Sequence, residues 1–290
     1  MTEAFDIQTQ LQDKWMIFWW ALGMSFLTIA AAWAKGLFKP FTSSFIPVIK
    51  GTDVLKGFGY FIFTCLLLIP FLVGAFYTLV TGNLTLTPFI KSLLHFIMVL
   101  GGFLAVLLAY FQLTSLQRQQ LWNQTAEPWF HNVLIGIAVW FVIFPVVLAF
   151  NQILSIALWH IFHHPFVEQT VVISLREAKE NPFLFSATAL GIITTVPFTE
   201  EFLFRGLLQN WLKQKFHSAW LPIGVTSLIF ALFHYTSAQG ITNIELLASL
   251  FLLSCVLGFI YERQRSLWAS IGLHGFFNFM SLLMLFKEPS

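Results

Sequence analysis

Residues Pro128–Val167, PWFHNVLIGIAVWFVIFPVVLAFNQILSIALWHIFHHPFV, run for 40 positions without one Asp, Glu, Lys or Arg. A bilayer core about 30 Å thick is crossed by roughly 20 apolar residues of helix, so this stretch belongs in lipid. It is too long for an ordinary span. The reading is one long helix from Trp129, bent at Pro145, that runs into an interfacial cluster of His160, His163 and His164. The rest of the chain has the same character: 58% of its 290 residues are hydrophobic, 18% aromatic and only 10% charged, against about 25% charged in an average soluble domain. Mean hydropathy is +0.79. A soluble enzyme and a disordered chain are both excluded by these figures. The formal charge of +2, with no block of Lys or Arg, gives no handle for nucleic acid.

The spacing between charges maps the other spans. Trp15–Ala34 is the first. Gly57–Ile90 holds the second, ending near Val80 before the breaker Thr81-Gly82-Asn83, and Ser92–Leu113 is the third. The Pro128 stretch is the fourth, and the fifth starts at Asn181-Pro182, a good helix N-terminus. Further spans fall in Leu221–Tyr235, Ile244–Tyr261 and Leu267–Phe286. The expected fold is all-α, a polytopic transmembrane helical bundle of about eight spans, because irregular backbone cannot face lipid. Without an internal repeat or linker, it reads as one structural domain. Residues 1–180 supply about four spans and 181–290 supply the helices that carry the chemistry.

With eight spans, one side of the membrane carries Lys35, Lys39, Lys50, Lys56, Arg118, Lys213, Lys215, Arg263 and Arg265. The other carries Lys14, Lys91, Arg176, Lys179 and Lys287. The excess of basic residues puts the first set in the cytoplasm and both termini outside. Cys65 and Cys255 sit alone in apolar stretches and read as packing residues, not as a disulfide or a metal site. The first 14 residues, with Glu3, Asp6, Asp13 and Lys14, lack the cationic start and apolar core of a signal peptide.

Three charged residues stand where the pattern does not expect them. Glu200, Glu201 and Arg205 follow the apolar run Phe183–Val196 after only Pro197-Phe198-Thr199. A charge at membrane depth costs about 2.5–3.5 kcal/mol on insertion scales, so such residues point to function. Glu201 and Arg205 are four apart with the acid first, the favourable order for a pair on one helix face. Glu200 lies about 100° round the helix and is left to act as a base. A structural Glu–Arg pair at a helix end would explain the pair equally well.

Two further polar sets lie inside apolar spans. His234 shares a helix face with Phe230, and His274 shares one with Asn278. Taken alone, an intramembrane His or Asn, such as His95 on the third span, is ordinarily an interhelical hydrogen-bond partner. Depth sets these apart. Counting from the basic side, Glu200 and His234 each lie about 20 Å in, and His274 about 13–14 Å. The three are expected to converge near mid-membrane in a site open to the cytoplasm. The aromatic, Lys-bearing stretch Phe202–Phe216 reads either as the amphipathic end of a helix or as an interfacial segment gating entry.

Glu200-Glu201-xxx-Arg205 with Gly206, Phe230-xxx-His234 and His274-xxx-Asn278, in that order, resemble the three motifs of the CPBP family. This family groups CAAX prenyl endopeptidases of the Ras-converting type with bacteriocin-processing and immunity proteins. The resemblance covers about Pro197–Ser281. It implies an eight-span bundle in a bacterial or archaeal-type cell membrane, with an intramembrane proteolytic site reached from the cytoplasm. By that resemblance Glu200 activates water with help from His234, His274 and Asn278 stabilise the oxyanion, and Glu201 and Arg205 position the site. The substrate is then a protein or peptide, prenylated or merely membrane-associated.

Peptide hydrolysis needs a base for water, donors for the oxyanion and a proton for the leaving amine, and these residue types supply them. Glu200, His234 and His274 also match a His₂Glu zinc set, and the family is often labelled metalloprotease. There is no HExxH, and Asn278 beside His274 suits an oxyanion role, so the expectation is no metal, with zinc as the alternative. Two other functions stay open. A non-catalytic scaffold or bacteriocin-immunity-type protein would keep the motifs for packing. A transporter would use the Glu and His residues as a proton relay, but would be expected to show paired broken helices in two halves.

Overall fold

A computed structural model of the chain describes residues 2–39, 48–122, 127–163 and 181–285. Among the described residues there are nine helices and no strand. We label them α1 (Thr2–Ala34), α2 (Gly51–Thr81), α3 (Pro88–Gln112), α4 (Ser115–Trp122), α5 (Trp129–Phe162), α6 (Pro182–Phe216), α7 (Trp220–Phe233), α8 (Asn243–Gln264) and α9 (Leu267–Leu285).

Local sequence sets most of the boundaries. Asn181 caps α6, its Oδ1 accepting the Leu184 N–H at 3.0 Å, with Pro182 in the first helical position. Thr87 and Pro88 do the same for α3. Gly82 ends α2 in the left-handed region at φ 71°, where the Thr81-Gly82-Asn83 breaker was read. Helix α5 runs from Trp129 through Pro145 to Phe162 as one element, and His163 ends it at φ 48°. His164, Arg176, Lys179 and Lys287 lie outside the described residues.

Seven helices are long and apolar enough to cross a membrane, and the chain is an integral, multi-pass membrane protein. The sequence pattern expects about eight spans. The difference falls at Leu221–Tyr235, where α7 has only 14 residues, or about 21 Å. Its end has a visible cause: the His234 ring takes up the Phe230 carbonyl at 2.8 Å, and the His234 backbone N–H turns to Ala231 instead. A 3-10 turn, Ser237–Thr242, then carries the chain to α8. This segment still brings the chain to the opposite face of the bundle. At one face Arg263 binds the carbonyls of Gly36 and Lys39, Gln214 that of Ile49, and Ser266 that of Trp122. Near the other face Lys14 of α1 lies beside Glu245 in the first turn of α8.

The outer surface is lipid-like, with Trp19, Phe26, Phe76, Leu79, Leu104 and Phe141 exposed. Helix α5 packs against α9, α1 and α8. Its crossing with α9 is held close by two glycines: a Cβ on Gly136 would stand 2.2 Å from the Ala269 carbonyl oxygen, and one on Gly272 would stand 2.6 Å from that of Val133. One buried cluster joins Val139, Trp140 and Ile143 of α5 to Leu253, Leu257 and Ile260 of α8 and Leu273 of α9. The other surrounds Phe202, Phe204 and Leu207 of α6 with Val106 of α3, Phe230 of α7 and Leu267 of α9. All of Phe202–Gln209 is buried. Farther on, Lys215 and Phe216 are exposed, so of the two readings of Phe202–Phe216 the structure has the amphipathic end of a helix.

Candidate active site

The charged motif lies on a helix with two changes of pitch. Gly191–Thr195 and Phe202–Gln209 of α6 are π-helical, and they bracket one short α-helical stretch, Val196–Glu201. Such turns recur at functional sites because an inserted residue re-aims side chains without ending the helix. Between these turns Glu200 reaches His234 of α7 and His274 of α9, while Glu201, about 100° round the α-helical stretch, reaches His274 and Arg205.

Glu200 meets both motif histidines. Its Oε1 lies 3.7 Å from His234 Nε2 and its Oε2 lies 3.8 Å from His274 Nε2. The convergence expected from depth counting is what the structure places here. Each ring is held from its other side. His234 Nδ1 is 2.8 Å from the Phe230 carbonyl, which can only accept, so Nδ1 carries the hydrogen and Nε2 turns to Glu200. His274 Nδ1 is 2.8 Å from Glu201 Oε1, which fixes that ring in the same sense. The Glu200 side chain is 17% exposed and that of His234 31%, so this edge of the group is open, whereas the His274 side chain is 6% exposed. Glu200 Oε2 has no hydrogen-bond partner within the protein.

Glu201 and Arg205 form the expected pair at 2.8 Å, with both side chains wholly buried. Arg205 then reaches α8, where its Nη2 donates to the Ser254 carbonyl at 3.0 Å and to the Ser254 hydroxyl. Its guanidinium lies over the Phe230 ring, 4.8 Å from the centroid. Phe230 itself contacts both His234 and His274. It thus forms an apolar floor beside the guanidinium and both imidazoles. Asn278, one turn beyond His274, donates its amide to the Ile192 carbonyl at 2.9 Å.

Sequence reasoning missed the rest of this seam. Glu201, Arg205, Gln209 and Lys213 recur every fourth residue on α6 and face Ser254, Gly258 and Glu262, also four apart, on α8. Gln209 donates to the Gly258 carbonyl at 3.3 Å and to Glu262 at 3.1 Å, and Lys213 pairs with Glu262 at 2.6 Å. The side chains of Lys213 and Glu262 are 6% and 2% exposed. Lys213 was read as a loop charge, and it is instead the end of a buried polar ladder. The signal was the fourfold spacing itself, masked because the pattern places Lys213 at the water boundary. Lys14 and Glu245 likewise stand within spans.

For zinc, the candidate ligands are Glu200, His234 and His274. Among the described residues, no group of three or more His, Cys, Asp or Glu side chains forms a cluster that could hold a metal ion. No step below passes through a metal.

Residues 181–280 match the family model described as Type II CAAX prenyl endopeptidase Rce1-like, a stretch that contains all the motif residues from Glu200 to Asn278. No curated protein and no solved structure matches the chain.

Proposed function

We propose that this chain, whose residues 181–280 belong to the Rce1-like family of type II CAAX prenyl endopeptidases, is an intramembrane endopeptidase in which Glu200 activates the hydrolytic water. A protein or peptide substrate and a hydrolase chemistry come with the family. The residue roles and the substrate are our reading. The observation that carries it is the approach of both imidazole Nε2 atoms to the one Glu200 carboxylate, at 3.7 and 3.8 Å, on its half-open edge.

The chemistry follows from which atoms are committed. A water within hydrogen-bond reach of Glu200 Oε1 and His234 Nε2 loses a proton to Glu200 as its oxygen attacks the scissile carbonyl carbon. The carbonyl π bond opens onto oxygen. His274, its Nδ1 held by Glu201, presents Nε2, which stabilises that oxyanion when protonated, and the second amide N–H of Asn278 is the further donor. Collapse of the intermediate breaks the C–N bond, and Glu200 returns its proton to the leaving amine. Glu201 and Arg205 touch no reacting atom and position His274. Burial of Glu201, Arg205 and His274 strengthens their interactions relative to water.

We place the site toward the cytoplasm, the side that the excess of Lys and Arg selects. The substrate we propose is a CAAX-type lipidated protein or another membrane-associated peptide. The experiment offers the purified protein in nanodiscs a prenylated CAAX peptide, its unprenylated twin and the host's membrane fraction, with the new termini read by mass spectrometry. Cleavage of the prenylated peptide alone supports the lipidated substrate. Cleavage only in the membrane fraction moves the substrate to another membrane protein or leader peptide. No cleavage by folded protein favours a scaffold or immunity-type role.

A further inference from the structure

The motif helices α6 and α9 also meet about two turns before Glu200. Pro197 has no N–H, so in the π register, where the Val196 N–H serves Gly191, the next carbonyl, that of Ile192, loses the donor position 197 would have offered. In a membrane a carbonyl without a partner is costly. The π turn Gly191–Thr195, closed by the Val196 N–H to the Gly191 carbonyl, contains this residue. Helix α9 meets the Ile192 carbonyl and the one after it. Asn278 gives its amide N–H to Ile192 at 2.9 Å. Gly275 lies against the Ile193 oxygen so closely that a Cβ there would stand 2.7 Å from it.

We propose that Pro197, Gly275 and Asn278 form a lock that sets the separation of Glu200 from His274, with Asn278 acting as a positioning residue through the Ile192 carbonyl. The lock rests on the protease reading for its consequence, since Pro197 lies three residues before Glu200 and Gly275 directly follows His274. A carbonyl bared by proline supplies the acceptor, the amide on α9 fills it, and a glycine admits the second helix to that distance. A displacement of α9 by even one ångström at this point would separate Glu200 from His274. The second N–H of Asn278 is left for the oxyanion, so the residue has two separable duties.

The test is a double-mutant cycle of Pro197→Ala and Asn278→Ala, with Asn278→Leu as the variant that preserves volume if the alanine form folds poorly. Restoring an N–H at position 197 gives the Ile192 carbonyl a backbone donor and removes the need for the amide. Asn278→Ala is expected to lower kcat about tenfold, equivalent to about 1.4 kcal/mol, with KM nearly unchanged. Adding Pro197→Ala should recover at least about threefold of that loss, a coupling that independent sites do not show. The unfolding midpoint in detergent is read on the same four proteins and should recover in parallel. Additive losses in both kcat and midpoint overturn the lock and assign Asn278 wholly to the oxyanion. Recovery of the midpoint in proteins that cleave nothing would leave the lock standing and sink the protease reading.

Discussion

His274 Nδ1 and Arg205 Nη1 share a single acceptor, Glu201 Oε1, each at 2.8 Å. One buried carboxylate oxygen therefore ties an imidazole of the third motif to the guanidinium of the first. Beyond Arg205 the chain of bonds continues to Ser254 on α8. Three helices are thus fastened behind the Glu200 edge, and the predictions below follow from what each link holds.

Removing the link should cost both fold and activity. Glu201→Gln leaves the Arg205 charge wholly buried without its counter-charge, a change worth about 3–5 kcal/mol in comparable pairs. The expected result is a lower unfolding midpoint and lower membrane yield, along with lost cleavage. Normal midpoint and yield would show that the pair is dispensable for folding.

Ser254→Ala should act more gently and in the same direction. It removes the hydroxyl that accepts from Arg205 but keeps the backbone carbonyl, so we expect a loss of about 1.5–3 kcal/mol, as for a hydrogen bond to a charged group. Thermal unfolding in detergent checks it, and an unchanged midpoint would detach Ser254 from the seam.

At the far end of the ladder, Lys213→Met and Glu262→Gln each remove one charge of the buried pair. Each single change should destabilise more than the double change of Lys213→Met with Glu262→Leu, because replacing a whole buried pair by apolar groups is often near neutral. Unfolding midpoints of the three variants decide it, and a double variant worse than both singles would contradict the pairing.

Gly136→Ala should separate α5 from α9, since its Cβ would stand 2.2 Å from the Ala269 carbonyl and 2.6 Å from the Leu273 nitrogen. Backbone cannot yield as a side chain can, and the cost should reach at least the about 1–3 kcal/mol of ordinary overpacking. Gly74→Ala is the control: nothing lies within 4 Å of its Cβ, so stability should hold or rise.

The sequence made the motif helices legible because lipid leaves so few places for charge. The Glu201–Arg205 pair followed from a spacing of four, and the meeting of Glu200, His234 and His274 from counting their depth from the basic side. What stayed hidden depends on backbone pitch and on which helix faces which. The π turns on either side of Val196–Glu201 leave no compositional mark. The short α7 followed from a side chain, His234, competing for a backbone carbonyl. Lys213 looked like a loop charge because it lies near a span end, and only the packing of α6 on α8 takes it and Glu262 out of water. Lys14 was set outside the first span because apolar residues begin after it, yet α1 starts a full twelve residues earlier.

The most direct test of the account is cleavage in lipid nanodiscs by wild type, Glu200→Gln and His234→Ala, each with and without a zinc chelator. Glu200 makes no hydrogen bond that folding would miss at its buried Oε2, so Glu200→Gln should fold normally. We predict that its cleavage falls by about 10²–10⁴, the usual contribution of a general base, that His234→Ala is also impaired, and that chelation changes nothing. Full activity in Glu200→Gln would contradict the central claim, and loss on chelation restored by zinc would make Glu200, His234 and His274 metal ligands instead.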